Sequence, residues 1–155
     1  MHPLMSRAFL TAEWRNLVMV NHVVEPSLLR RLVPAGTELD TWNGQTYVSL
    51  VGFLFANTRL LGVPVPWHRT FEEVNLRFYV RRAESSGIRR GVTFIRELVP
   101  RRAIAWTARL IYNEPYVALS MRHRFGPMRA DGVPEQVQYQ WRGEPWTSRD
   151  TAHCR

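Results

Sequence analysis

The sequence predicts an α+β fold that is mainly antiparallel β, in the form of a curved sheet or barrel with two short helices. Three observations support this class. Most segments are short, rich in β-branched and aromatic residues, and separated by Gly, Pro or Asn. The dipeptide Asn43-Gly44, a strong hairpin-turn signal, lies early in the chain. Few segments have apolar residues at the spacing of an amphipathic helix. The concave side of such a sheet can hold a small ligand.

The chain has 155 residues, of which 45% are hydrophobic, enough to bury one sizeable core. We therefore expect one domain over residues 1–142. The rest of the chain, 143–155, is polar and without a period, so we expect a disordered tail.

The first elements are a strand and a helix. Residues 14–24 are β-rich and end at Glu25-Pro26. Residues 27–33 can form a short helix, because Pro26 favours a helix start and Pro34 prevents its continuation. The expected buried side of this helix consists of Leu28, Leu29 and Leu32.

The Asn43-Gly44 turn predicts a hairpin between residues 38–42 and 45–50. Residues 47–55 are apolar on both faces, as in a strand covered on both sides. After it, residues 62–67 hold two prolines and predict an extended loop, in which Trp67 is a candidate lid over a ligand.

The strand expected at 71–82 has two chemically different faces. One face is expected to be core and consists of Glu72, Val74, Leu76, Phe78 and Val80. The other consists of Glu73, Asn75, Arg77, Tyr79 and Arg81. That polar face is either the wet side of a sheet or the lining of a concavity between strands that are buried on both sides.

The remaining elements follow from turn residues and spacing. Gly87 marks a turn before a strand at 89–99 with Val92, Phe94 and Ile95 inward, and Pro100 ends it. Residues 101–112 favour a helix, with a strand as the alternative. Strands are then expected at 116–125 and 133–141, with a turn at 126–132 between them.

Composition excludes several function classes. The formal charge is +8, but the 21 basic residues are all arginines, scattered along the chain as single residues and doublets, which disfavours nucleic-acid binding. No segment has the apolar length of a signal peptide or membrane span, and there is one cysteine, so we expect a cytoplasmic protein without disulfides. The five histidines show no metal-ligand spacing, so we expect neither a metal nor another cofactor.

Several segments in order resemble the YqjF-like family of uncharacterised proteins, which look like distant relatives of acetoacetate decarboxylase. They are 28–40, 46–53, 71–80 and 108–116, and the resemblance covers residues 10 to 142. It implies a decarboxylase-like barrel. In acetoacetate decarboxylase a strand glutamate lies near a lysine that follows proline; here Glu73 resembles the glutamate, whereas Tyr116 follows Pro115. Because tyrosine cannot form an imine and no lysine is present, Schiff-base decarboxylation is excluded.

Two function classes remain open. The first is a pocket for a small organic acid or anion, with ligand-binding candidates Glu73, Asn75, Arg77, Arg109 and Tyr116. The second is a non-catalytic structural or interaction domain with a basic surface, in which the glutamate only neutralises an arginine. YqjF-like proteins continue with further strands, so we expect an incomplete sheet whose open edge favours a homodimer.

Overall fold

The computed structural model of the protein describes residues 10–60, 62–64, 70–100 and 116–143. Within them the chain forms a mainly antiparallel sheet that curls into a half-barrel, with one short helix. The strands are β1 (Leu10–Val24), β2 (Glu38–Leu39), β3 (Thr46–Leu60), β4 (Val63–Pro64), β5 (Phe71–Glu84), β6 (Gly87–Pro100), β7 (Tyr116–Phe125) and β8 (Val137–Arg142). The helix α1 (Pro26–Leu29) continues into a 3₁₀ turn, Arg30–Leu32.

The strand order is β1-β3-β5-β6-β7-β8, with β2 paired to β5 and β4 to β3. All of these pairs are antiparallel except β6 and β7, which run parallel. Parallel strands cannot be joined by a tight hairpin, so β7 is not a simple continuation of the meander. The helix predicted at 101–112 lies outside the described residues, as do the candidates Arg109 and Trp67 and the tail from 144 onward.

Part of the core lies on the β5 face that carries the even-numbered residues, as predicted from Val74, Phe78 and Val80. The other face is also buried in part, since Val51 and Phe53, opposite Asn75 and Glu73, are fully buried. Near α1, Leu29 packs with Phe78 and Val80. Near β7 and β8, the buried residues are Val74, Leu98 and Leu119, with Tyr139 and Trp141 packed against them. The helix and the last strand therefore cover opposite ends of one apolar face.

The predicted hairpin was wrong in its first strand. Asn43 and Gly44 both have positive φ, 49° and 75°, as the turn requires, but the ladder around them is a single bridge between Trp42 and Gln45. Glu38 and Leu39 pair instead with Arg81 and Val80 of β5, beyond the last β3–β5 pair. The chain thus runs first alongside the far end of β5, then passes through the turn, and only then enters β3.

Other expected boundaries and faces also need correction. In the helix only Leu29 is buried, while Leu28 and Leu32 are exposed, because one short turn presents one side chain to the sheet. Val92 is exposed, because the inward burial of β6 comes at its other end, in Glu97, Leu98 and Val99. In the last segment, Met128 and Pro134 form an isolated bridge, so β8 begins at Val137 rather than at 133.

The expected loop after β3 also begins with a strand. Val63 and Pro64 pair with Leu60 and Arg59 as an antiparallel edge ladder. An edge position tolerates the missing N–H of proline, which is why the prolines did not prevent a strand here.

Candidate functional site

The polar face of β5 is partly interior. Glu73 is 4% exposed and Asn75 is 1% exposed, while Arg77 and Tyr79 are half-buried. The alternative that this face is simply wet is therefore wrong for its first half. Asn75 donates from Nδ2 to Oε1 of Glu73 over 3.2 Å.

The neighbouring strands extend this face into a row across the sheet. Asn75 lies opposite Val51 on β3 and opposite Glu97 on β6, and Glu97 lies opposite Tyr116 on β7. Glu97 is 3% exposed, so two carboxyl groups, those of Glu73 and Glu97, are buried on one face. Buried carboxyls are rare unless they are paired or functional, which makes this row a strong site signal among the described residues.

Some buried polar atoms on this face have no hydrogen-bond partner within the described residues. They include Oδ1 of Asn75, an acceptor, and Nε of Arg77, a donor. A buried polar atom left unsatisfied costs about 1–3 kcal/mol.

A short hydrogen-bond chain continues the row toward solvent. The Ser49 hydroxyl donates to Oδ1 of Asn21 over 2.5 Å and lies 2.6 Å from the Tyr79 hydroxyl. Because the serine proton is committed to Asn21, Tyr79 is the donor to Ser49. This arrangement fixes both the tyrosine hydroxyl and the Asn21 amide next to the sheet.

The chain of hydrogen bonds ends at a cleft of about 470 Å³. The cleft is lined by Asn21, Asp40, Thr41, Trp42, Tyr47, Tyr79, Arg90 and Gly91. Its side chains combine three aromatic rings with one arginine and one carboxylate. That mixture of apolar walls and a few polar groups is typical of small-molecule sites.

One ion pair borders the cleft. Nε of Arg90 lies 3.3 Å from Oδ2 of Asp40, and Oδ1 of Asp40 is buried without a partner in the described part of the chain. Asp40 is held in place because its backbone N–H donates to the Tyr79 carbonyl over 3.0 Å. The exposed Trp42 is set beside it by the Asn43-Gly44 turn. The other guanidinium N–H groups of Arg90 can donate hydrogen bonds to an anion in the cleft.

The structure brings together some of the predicted site residues. Glu73, Asn75, Arg77 and Tyr116 lie on one face, whereas Arg109 and Trp67 fall outside the described residues. Sequence reasoning missed Glu97, Ser49, Asn21, Asp40 and Arg90 as site residues. For Glu97 a signal existed, since an acidic residue stands directly before Leu98 and Val99 in a strand that ends buried.

The described residues contain no cluster of three or more His, Cys, Asp or Glu side chains that could hold a metal ion. Nor does any helix in this part of the chain have the length and apolarity to cross a bilayer.

These features define a class of protein: a curled, mainly antiparallel half-barrel with a polar inner row that leads to a cleft. Residues 11–155 match the DUF2071 family model, described as an uncharacterized conserved protein, and the chain belongs to that family. It is 36% identical over 110 residues to the uncharacterized protein YqjF of Bacillus subtilis, which confirms the expected family resemblance. That match covers 70% of this chain and 44% of the relative, so the chain spans under half of its length. No solved structure matches the chain.

Proposed function

We propose that this domain binds a small organic anion in the cleft beside Trp42, Tyr79 and Arg90, and that it has no Schiff-base decarboxylase activity. The observation that carries the proposal is that the polar face of β5 and the cleft lie on one face of the sheet. Ser49 is the cross-strand partner of Arg77, and its hydroxyl is hydrogen-bonded to Asn21 and Tyr79, which both line the cleft. The cleft volume of about 470 Å³ falls within the range of ligand sites, roughly 300–1,000 Å³.

The polar groups support an anionic ligand. Arg90 supplies the cation, and Tyr79 and Asn21 supply oriented polar groups at the inner wall. A carboxylate matches the guanidinium fork through two parallel N–H bonds. The rings of Tyr47 and Trp42 supply apolar contact for the rest of the ligand.

The buried polar residues of the sheet are proposed as the inner part of the same site. Glu73 and Glu97 lie in a dry part of the sheet, where a carboxyl group can serve as a proton donor or acceptor. Arg77 and Asn75 contribute the unsatisfied atoms noted above. We retain Arg109, Tyr116 and the Trp67 lid as proposed parts of the same site. The absence of lysine removes imine chemistry, and the proposed decarboxylase-like ancestry concerns the pocket alone.

Benzoate is a suitable probe because it combines a carboxylate with one ring. We expect benzoate to raise the melting temperature of the protein and to bind at least about tenfold more weakly to the Arg90→Gln variant, since a hydrogen bond to a charged group contributes about 1.5–3 kcal/mol. Isothermal titration measures the affinity. Arg89→Gln is the matched control, because Arg89 is adjacent, exposed and paired with Glu84 but does not line the cleft. Equal affinities for the two variants would contradict the proposal.

The second candidate is a non-catalytic interaction domain, and the edge strand β1 favours it. Trp14, Leu17, Met19 and Val23 are between 40% and 54% exposed along that strand. In the described sheet β1 forms a ladder with β3 alone; its other edge is contacted by the Tyr139 side chain but not paired with a strand. A homodimer through this edge would appear in sedimentation at tens of micromolar (about the range where edges associate). The dimer should be lost in Met19→Lys, while a monomer for the unmodified protein would exclude it.

A further inference from the structure

A second, apolar groove lies on the opposite face of the sheet, where the last strand curls over the first. It has a volume of about 170 Å³ and is lined by Val18, Val20, Leu50, Gly52, Val74, Val137, Tyr139 and Trp141. Val20 at its rim is 44% exposed, so the groove is accessible from the gap between β1 and β8. The proposed anion site does not use these residues.

β8 and β1 are not hydrogen-bonded as strands; the Tyr139 side chain bridges them instead, and this leaves the space that forms the groove. The Tyr139 hydroxyl donates to the Asn16 carbonyl over 2.8 Å. Asn16 has a φ of 54° and lies where the β1 register shifts, which exposes its carbonyl to the other strand. The Tyr139 ring rests on Gly52, where an added Cβ would lie only 2.8 Å from Cδ2.

A histidine–carboxylate pair adjoins this apolar groove. Nδ1 of His123 lies 2.7 Å from Oε1 of Glu72, and the two side chains come from β7 and β5. His123 is the direct cross-strand partner of Tyr139, and Glu72 is two residues from Val74, so both stand one residue layer from the lining. The imidazole also packs on Phe125, with ring centroids 4.9 Å apart.

The pair leaves one nitrogen for a ligand. When Nδ1–H donates to the carboxylate, the neutral ring carries its free lone pair on Nε2, and the protonated ring carries an N–H there. Nε2 has no hydrogen-bond partner among the described residues, and the His123 side chain is 36% exposed. A hydroxyl group both donates and accepts, so it matches Nε2 in either protonation state.

We propose that this groove binds a small phenol, with the ring between Tyr139, Trp141 and the β1 valines and the hydroxyl at Nε2 of His123. The volume supports a single ring, because a dry apolar cavity of about 150 Å³ is large enough to bind benzene. The aliphatic and aromatic lining disfavours a larger polar ligand, and the imidazole of His123, the cross-strand neighbour of Tyr139, sets the orientation.

Phenol and toluene test the proposal, because they share size and shape but differ in the hydroxyl. Protein-observed NMR titration should show phenol binding about three- to tenfold more tightly than toluene, the ratio that one hydrogen bond provides. In His123→Leu the ratio should fall below one, because the phenol hydroxyl would lose its partner and still be desolvated. Arg90→Gln keeps the ratio, because Arg90 lines the other cleft. Val20→Phe, which fills the groove from its exposed rim, should abolish binding of both ligands and gives a test if His123→Leu does not fold.

Binding of phenol should be unaffected by Arg90→Gln, which separates this site from the anion cleft. Failure of both phenol and toluene to shift any resonance of the lining residues would overturn the proposal. So would a preference for phenol that survives in His123→Leu.

Discussion

Gly52 is the position where one added methyl group should test how the sheet closes. Its backbone has an ordinary strand conformation, so alanine is not excluded by φ. The obstacle is the Tyr139 ring, whose Cδ2, Cγ and Cε2 would lie 2.8, 3.3 and 3.4 Å from the new Cβ. Real Cβ atoms do not approach carbon at 2.8 Å, so the ring must move, and its hydroxyl bond to Asn16 must lengthen or break.

The magnitude follows from three contributions. Overpacking of this kind costs about 1–3 kcal/mol. Loss of the Tyr139–Asn16 hydrogen bond adds about 0.5–1.5 kcal/mol. Replacement of glycine by alanine returns about 0.4–1 kcal/mol through the unfolded chain. We therefore expect Gly52→Ala to lower the free energy of unfolding by about 0.5–4 kcal/mol.

Urea unfolding measures this change, and Gly91→Ala is the matched control. Gly91 also lies in a strand, but its added Cβ would meet only Cγ2 of Val80, at 3.9 Å. In a Tyr139→Ala background the cost of Gly52→Ala should disappear, as a double-mutant cycle would show. Equal destabilisation by the two glycine substitutions, or a cost that persists without the Tyr139 ring, would refute this account of the closure.

Three further outcomes are expected. Borohydride reduction with acetoacetate should leave the protein mass unchanged apart from an adduct at the N-terminus, because the chain holds no lysine; an internal adduct seen by peptide mass spectrometry would contradict this. Glu73→Gln should cost less than about 1 kcal/mol of stability in urea if Glu73 lines a pocket, whereas a loss of about 3 kcal/mol would show that it only neutralises a buried charge. Burial, and secondly the charge of Glu72, raises the pKa of Tyr139 from 10.0 to about 12. The folded state thus favours the protonated phenol, so this stabilisation is complete below pH 10 and declines as the pH rises toward 12; ultraviolet titration should show a late-ionising tyrosine that Tyr139→Phe removes.

Strands were predictable where the local pattern and the tertiary environment agree. The β7 segment begins at Tyr116 and ends at Phe125, as its alternation predicted, and the β5 core face follows the expected period of two. The segment at 38–42 was misassigned because turn chemistry specifies the turn itself and not the partner of the strand before it. Glu38 and Leu39 pair with β5, a choice set by where the curled sheet has an unpaired edge.

The candidate site was predictable in part for the same reason. Alternation along β5 placed Glu73, Asn75 and Arg77 on one face, and the structure buries the first two. Asp40 and Arg90 come from segments 50 residues apart, and their approach depends on β2 crossing to β5. No pattern within either segment predicts that contact.

The Tyr139–Asn16 contact also sets an order of events, because its partners are 123 residues apart in the chain. Closing a loop of that length costs on the order of 4 kcal/mol of chain entropy, against about 1 kcal/mol from the hydrogen bond. The first and last strands therefore cannot meet until the intervening ladders have shortened the effective loop. During synthesis β8 emerges after every other described strand, so the nascent sheet holds its apolar face open until the end. In the mature protein the same strand is the first expected to detach, and amide exchange in β8 should report sub-global opening rather than global unfolding.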